Sequence, residues 1–370
     1  MRVSWWKAYY LLGQEKCRLP AENRYWRQRN MRILVVSFLL ALLTSATPKP
    51  ETLDVYAIDV EGGKAMLVKA PSGQSMLVDA GWPGFNGRDV DRIIEAAKTA
   101  KLKRIDYLVI THLDVDHVGD VPLLRSKFPV GRIFDNGPVQ TTGKGVEKRY
   151  ETYAAARDKM PHGIVKPGDR IPIKGVDATV VAAGAKVIER PLRGGGISNP
   201  VCASSPQAAE IPSDREDNMS IGLLFTYGRF RMLDLADLEA YFDYMLMCPR
   251  NLVGAVDVYQ VSVHGQAKGS SPVLEHALAA RVAIMNNGAR KGGDPESWQS
   301  LRSTPGLEDI WQLHYSVKGG KENNPPDDFI ANPEPTDCQG RWIKLSARLD
   351  GSFVVTNSRN GFSKTYEAHR

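Results

Sequence analysis

From residue 52 onward the chain alternates apolar and polar positions in short bursts, "LDVYAIDV", "AMLVKA" and "SMLVDAG", separated by Glu61-Gly62-Gly63 and Pro71-Ser72-Gly73. Alternation of period two bounded by turn formers predicts an antiparallel meander. The period then changes. In "GRDVDRIIEAAKTAK" the apolar positions Val90, Ile93, Ile94 and Ala97 fall at i, i+3, i+4 and i+7, one face of a helix. The run "IDYLVI" reads as a buried strand and "VPLLRSKF" as a short helix.

The second half repeats this grammar with "RIPI", "VDATVVAAG", "SIGLLFTYGRFRMLDLAD", "DVYQVSV", "SPVLEHALAAR" and "VAIMNNG", and closes on the hairpin "WIKLSARLDGSFVVTN", turning at Asp350-Gly351. Two strand-rich halves that each carry helices predict an α+β fold of two sheets packed face to face with helices outside. Residues 188–216, rich in Gly, Pro and Ser, predict a surface loop or lid inserted into that domain.

Composition sharpens the front of the chain. The 42% apolar content over 370 residues is that of a globular protein. The net charge of +6 is carried wholly by Arg32 and the basic residues 1–30, leaving the rest neutral. From Met31 a short basic start is followed by an apolar stretch, Ile33 to Leu43, and small residues ending at Ala46. This is a signal-peptide pattern, too short for a spanning helix, and it predicts cleavage after Ala46 with Met31 as an alternative start. Residues 1–46 are then an N-terminal extension and signal peptide, residues 47–370 a single domain, and the mature protein is secreted or periplasmic with no retained transmembrane helix. Its neutral charge leaves no strong nucleic-acid footprint.

Export removes Cys17 and leaves Cys202, Cys248 and Cys338, whose pairing stays open. No CxxC or Cys/His cluster occurs in the sequence, which excludes a structural zinc site built on cysteine.

The candidate chemistry lies in "ITHLDVDHVGD", immediately after the buried run. Extended backbone puts His112, Asp114 and Asp116 on one side, and His117 follows from the turn into the next helix. Four metal-competent side chains within six residues point to a metal loop.

This stretch resembles the metallo-β-lactamase superfamily, whose motif is HxHxDH after a buried strand. The HxDxDH form, with Asp114 in the middle, looks like the branch that includes the extracellular domain of ComEC-type DNA-uptake competence proteins. The resemblance implies a four-layer αββα sandwich and, residue by residue, a set of site residues. "SMLVDAG" supplies Asp79, which would orient a ligand. "DNMSIGLLFTYGRFRMLDLADLE" supplies Asn218, Ser220 and a bridging Asp237, with Asp234 as competitor for that role. "VSVHGQ" supplies His264, although Val263 stands where relatives often double the histidine. The third histidine of the first site aligns with Asn218, a weak ligand, and His162 is the alternative. His276, His314 and His369 read as ordinary helix, strand and tail residues.

The implied second site is Asp116, His117, His264 and Asp237, and the first is His112, Asp114 and Asp237. One or two divalent ions follow, zinc by default, with Mn²⁺ or Mg²⁺ open because Asp114 makes the first site harder. The reaction implied is hydrolysis by a metal-activated water, with Asp116 both ligand and positioning group. The substrate reading favours a phosphodiester over a small ester, lactone or β-lactam. A non-catalytic binding protein that keeps the fold is the competing class.

Overall fold

Strand Leu53–Ala57 shows how the pattern becomes layers. Leu53, Val55 and Ala57 enter one apolar cluster, while Tyr56 and the following Ile58 enter another on the opposite face. The computed structural model describes residues 51–139, 145–204, 215–269 and 271–368. The signal-peptide reading, Cys17 and His369 lie outside them.

Among the described residues the first large sheet runs, edge to edge, through Ser363–Tyr366, Phe353–Asn357, Ile343–Ala347, Leu53–Ala57, Met66–Lys69, Ser75–Val78, Ile105–Val109, Val130–Asp135 and His162–Ile164. Its first six strands form an antiparallel meander, and Ser75–Val78, Ile105–Val109 and Val130–Asp135 pair in parallel. In the second sheet Phe230–Asp234, Val258–Gln260, Val282–Met285 and Asp309–His314 run parallel, and Gly222–Tyr227 and Asp177–Ala183 continue it antiparallel.

Three apolar clusters separate four layers. The middle cluster joins Val55, Val68 and Phe353 of the first sheet to Phe225, Met232 and Trp311 of the second. Trp311 Nε1 donates across it to the Tyr366 hydroxyl at 3.0 Å. Outside, Val90, Ile93, Val121, Leu124 and Tyr153 bring helices Arg88–Thr99, Val121–Lys127 and Val146–Arg157 onto the first sheet. Phe242, Leu246, Leu274 and Leu301 bring Ala240–Met247, Pro272–Leu278 and Pro295–Arg302 onto the second. The architecture is the expected α+β, αββα sandwich.

One expectation fails. The closing hairpin pairs with Leu53–Ala57, register Leu53 to Ala347, and so belongs to the first sheet, not to that of its own half. Alternation tells which face of a strand is buried, and says nothing of its neighbour.

The described part of the 188–216 loop is tied down rather than loose. Ile197–Ser198 pairs with Arg250–Asn251, Leu192 N–H donates to the Leu252 carbonyl, and Cys202 is disulfide-bonded to Cys248. Residues 205–214 lie outside the description. No helix of the described residues is long and apolar enough to cross a membrane.

Candidate metal centre

The parallel strands of both sheets deliver their carboxyl ends to the candidate residues, the usual place for a site in such sheets. Asp79 follows Ser75–Val78, and His112 follows Ile105–Val109. From the second sheet Asp237 follows Phe230–Asp234, His264 follows Val258–Gln260, and Asn286 follows Val282–Met285.

The motif does not stay extended. The chain enters a helical turn, Val115–Val118, with Asp114 at its N-cap, and the N–H groups of His117 and Val118 both donate to the Asp114 carbonyl at 3.0 Å. Asp116 and His117 therefore leave from the first turn of a helix, and the alternation of 112, 114 and 116 on one side is corrected. Gly119 ends the turn at φ 55°, where a Cβ would collide with the Ala80 carbonyl. Leu113 is pinned by its backbone: its N–H donates to Glu216 Oε1 at 2.7 Å, and its carbonyl accepts from Arg149 Nε at 2.7 Å.

Asp116, His117, Asp237 and His264 converge. His117 Nε2 lies 3.2 Å from His264 Nε2, 3.5 Å from Asp116 Oδ2 and 3.4 Å from Asp237 Oδ1. His264 Nε2 lies 3.2 Å from Asp116 and 3.1 Å from Asp237. Both histidines are fully buried. His112 stacks its ring on His117 with centroids 4.1 Å apart, and its Nε2 is buried with no hydrogen-bond partner in the structure. That nitrogen is 3.9 Å from Asp114 Oδ2 and 4.0 Å from Asp217 Oδ1.

Asp217, not Asn218, is the group brought beside His112 and Asp114. Asp217 lies one place before the Asn218 that the resemblance implies, in "EDNMS". Asn218 is buried one residue further along the same 3-10 turn. His162 is exposed, with Nδ1 on the Met160 carbonyl, and joins no such cluster. Asp234, the competitor of Asp237, forms a buried ion pair with Lys64 and accepts from the Ala236 N–H at 3.0 Å.

Supporting groups fix these rings. Asp79, at φ 62°, accepts from His117 Nδ1 at 2.9 Å and from the Thr111 N–H and hydroxyl at 2.8 Å each. This presents His117 Nε2 to the cluster. Asn286 lies 3.0 Å from His264 Nδ1. Ser220 Oγ lies 3.4 Å from His112 Nδ1 and accepts from the Asp237 N–H at 3.3 Å. Val263 and His264 themselves have φ of 50° and 55°, left-handed backbone that a β-branched valine rarely adopts. Thr111 and Asn286 carry no signal that sequence reasoning could have used.

Electrostatics agree with a cation between these groups. Burial works against charge on His117, yet Asp237, Asp116 and Asp79 push it well above its ordinary value. Against the same burial, His264 and His117 hold Asp237 well below the carboxylate range, and His117, His264 and Lys291 lower Asp116. Buried carboxylates opposed by imidazoles are a charge pattern that a divalent ion would also balance. The buried, unsatisfied His112 Nε2 and the N- and O-donor set fit such an ion.

Residues 58–195 match the family model of the metallo-beta-lactamase superfamily. A comparison with curated proteins found no match. Among solved structures the chain is similar to CmlA, a diiron β-hydroxylase from Streptomyces venezuelae, at 17% identity and TM-score 0.38 over 70% of this chain and 47% of that one. It thus spans about half of that protein's length. It is also similar to the metallo-beta-lactamase fold protein YhfI from Bacillus subtilis, at 10% identity and TM-score 0.41 over 70% and 95% of the two chains. Zn²⁺-bound PqqB from Methylobacterium extorquens aligns at 12% identity and TM-score 0.37 over 64% and 89%.

Proposed function

We propose that this chain is an exported metal-dependent hydrolase that cleaves a phosphodiester. The observation that carries the reading is the convergence of Asp116, His117, Asp237 and His264 at the strand ends, with His112, Asp114 and Asp217 beside them. The first four would hold one divalent ion, zinc by default, and His112, Asp114 and Asp217 a second at a harder, more oxygen-rich site suited to Mn²⁺ or Mg²⁺. When bound, such ions supply a water of lowered pKa and polarise the group under attack.

The chain's own residues do the rest. Asp79 holds His117 in the tautomer that offers Nε2, and Asn286 steadies His264. Asp116 sits between His264 and the partly exposed Lys291, placed to orient a nucleophile. Lys291 contacts Asp116, Lys268 contacts Asp217, and Arg149 lies 3.5 Å from Asp114, so these three carboxylates each have a cation beside them. An anionic substrate uses three such cations, whereas a neutral ester or lactone has no need of them.

Export is supported by the apolar run before Ala46 and by the Cys202–Cys248 disulfide, which persists in oxidising compartments. The test is hydrolysis of bis(p-nitrophenyl) phosphate and of p-nitrophenyl acetate by protein reloaded with Mn²⁺ or Zn²⁺. The phosphodiester should be cleaved faster, and Lys291→Ala should raise its KM about tenfold. Equal or better ester cleavage, indifferent to Lys291, would reject the phosphodiester. Mass analysis of the exported chain should show a start at Thr47.

A further inference from the structure

The sequence pattern excludes a cysteine-based metal site, yet the fold brings Asp59, His314 and Cys338 together from three distant segments, and that expectation is corrected. Asp59 lies two residues past strand Leu53–Ala57 of one sheet, His314 ends strand Asp309–His314 in the other, and Cys338 comes from the segment before the closing hairpin. Asp59 Oδ1 is 2.7 Å from His314 Nε2, Asp59 Oδ2 is 2.8 Å from Cys338 Sγ, and Sγ is 3.8 Å from the same Nε2. Asp59 and His314 are buried and Cys338 is partly exposed.

We propose that Asp59, His314 and Cys338 hold a further divalent transition-metal ion, of the zinc class, separate from the centre described above. One carboxylate oxygen, one imidazole nitrogen and one sulfur point at a common centre, and this mixed set with a thiolate selects zinc or cobalt over magnesium or calcium. Ligands at ~2.3 Å for Zn–S and ~2.1 Å for Zn–N stand about 3.6 Å apart around a tetrahedral ion. The 3.8 Å gap between Sγ and Nε2 is too long for a good hydrogen bond to nitrogen and close to that separation. Three protein ligands leave a fourth position on the exposed side of Cys338 for water.

The surroundings are built to orient these ligands. Arg92 donates to Asp59 Oδ2 at 3.1 Å and to Cys338 Sγ at 3.3 Å, and the Glu61 N–H donates to Asp59 Oδ1 at 2.8 Å. The charge of Arg92 does not oppose the ion. Arg92 and Arg88 both pair with Glu61, and Arg88 also with Asp89. A Cys338 thiolate, Asp59, Glu61 and Asp89 then balance the two guanidinium groups and one divalent ion. Binding would release the thiol proton to solvent. The ion would clamp both sheets and the 333–341 segment together. It would also lie one loop from the first centre, because Lys64 of that loop donates its N–H to the Asp116 carbonyl at 3.0 Å.

Cobalt titrated into metal-free, full-length protein is the probe. A sulfur-to-cobalt charge-transfer band in the near-ultraviolet reports thiolate ligation, which the first centre cannot give because none of its candidate ligands is sulfur. The expected result is a band saturating at one equivalent, lost in Cys338→Ser and in His314→Ala. No band in the wild type, or a band that persists in folded Cys338→Ser, overturns the proposal. Should those variants fail to fold, wild-type protein supplies a second measurement. Zn²⁺ should slow alkylation of Cys338 at least tenfold, and an unchanged rate overturns the proposal. Neither readout depends on hydrolysis, so the hydrolase reading can fail while this site stands.

Discussion

Asp116 and Asp237 at the strand ends, and Asp243 and Glu275 under the outer helices of the second sheet, are all buried carboxyl groups, yet their protonation is driven in opposite directions. Burial alone raises a carboxyl's pKa in both places. Around Asp116 and Asp237 the imidazoles of His117 and His264 overturn that effect. Around Asp243 nothing does: burial and then Glu275 push it well up, and neither of its carboxylate oxygens has a hydrogen-bond partner in the structure. Burial likewise raises Glu275 to about 7, opposed only by the Ser300 hydroxyl. One region keeps its carboxylates charged and needs a cation, while the other keeps neutral acids in an apolar layer. Buried acid by itself does not mark a metal site; opposing imidazoles do.

The contrast breaks most severely at the first region. His264→Ala removes a donor shared by Asp116 and Asp237, and it should abolish phosphodiester hydrolysis and strip divalent metal from that centre, read by elemental analysis and turnover. In the second region, Glu275 binds its proton more tightly folded than unfolded, so its stabilising contribution is complete below pH ~4.5 and is lost as pH rises through about 7. Two and a half pKa units correspond to roughly 3 kcal/mol. Denaturant unfolding between pH 4.5 and 7.5 should show wild type losing about that much more than Glu275→Gln.

Asp79→Asn tests the support beneath His117. Loss of a carboxylate that orients a ligating histidine typically weakens metal affinity ~10–100-fold, and metal titration of the variant should fall in that range. Ser220→Ala should have the smallest effect, a few-fold in turnover, because its contacts with His112 and the Asp237 N–H are long, at 3.4 and 3.3 Å. An effect as large as that of Asp79→Asn would mean that His112 is held by Ser220 rather than by Thr111, whose hydroxyl lies 3.0 Å from His112 Nδ1.

Much of the fold was legible because each element carries its own period: the meander, the helix Arg88–Thr99 and the two strands of the closing hairpin stand where alternation and i, i+3, i+4 spacing put them. The destination of the closing hairpin was not legible, since pairing partners are chosen by long-range packing. The HxDxDH cluster was legible because four of its donors lie within six residues, whereas Asp237 and His264 were legible only through the resemblance to the metallo-β-lactamase superfamily. Asp217 was hidden by its neighbour Asn218, which occupied the expected alignment. Lys291, Asn286 and the Asp59, His314 and Cys338 group are joined only by tertiary folding, so no spacing in the chain reveals them.

The central claim is that the loop "THLDVDH" and the strand ends facing it hold a metal. The most direct measurement is the metal content of Cys338→Ser protein purified without chelator, compared with the same protein carrying His264→Ala, since the first substitution removes the thiol site from the count. The account predicts at least one equivalent of divalent transition metal in the first and a loss of about one equivalent in the second. No bound metal in the first, or equal content in both folded proteins, would contradict it.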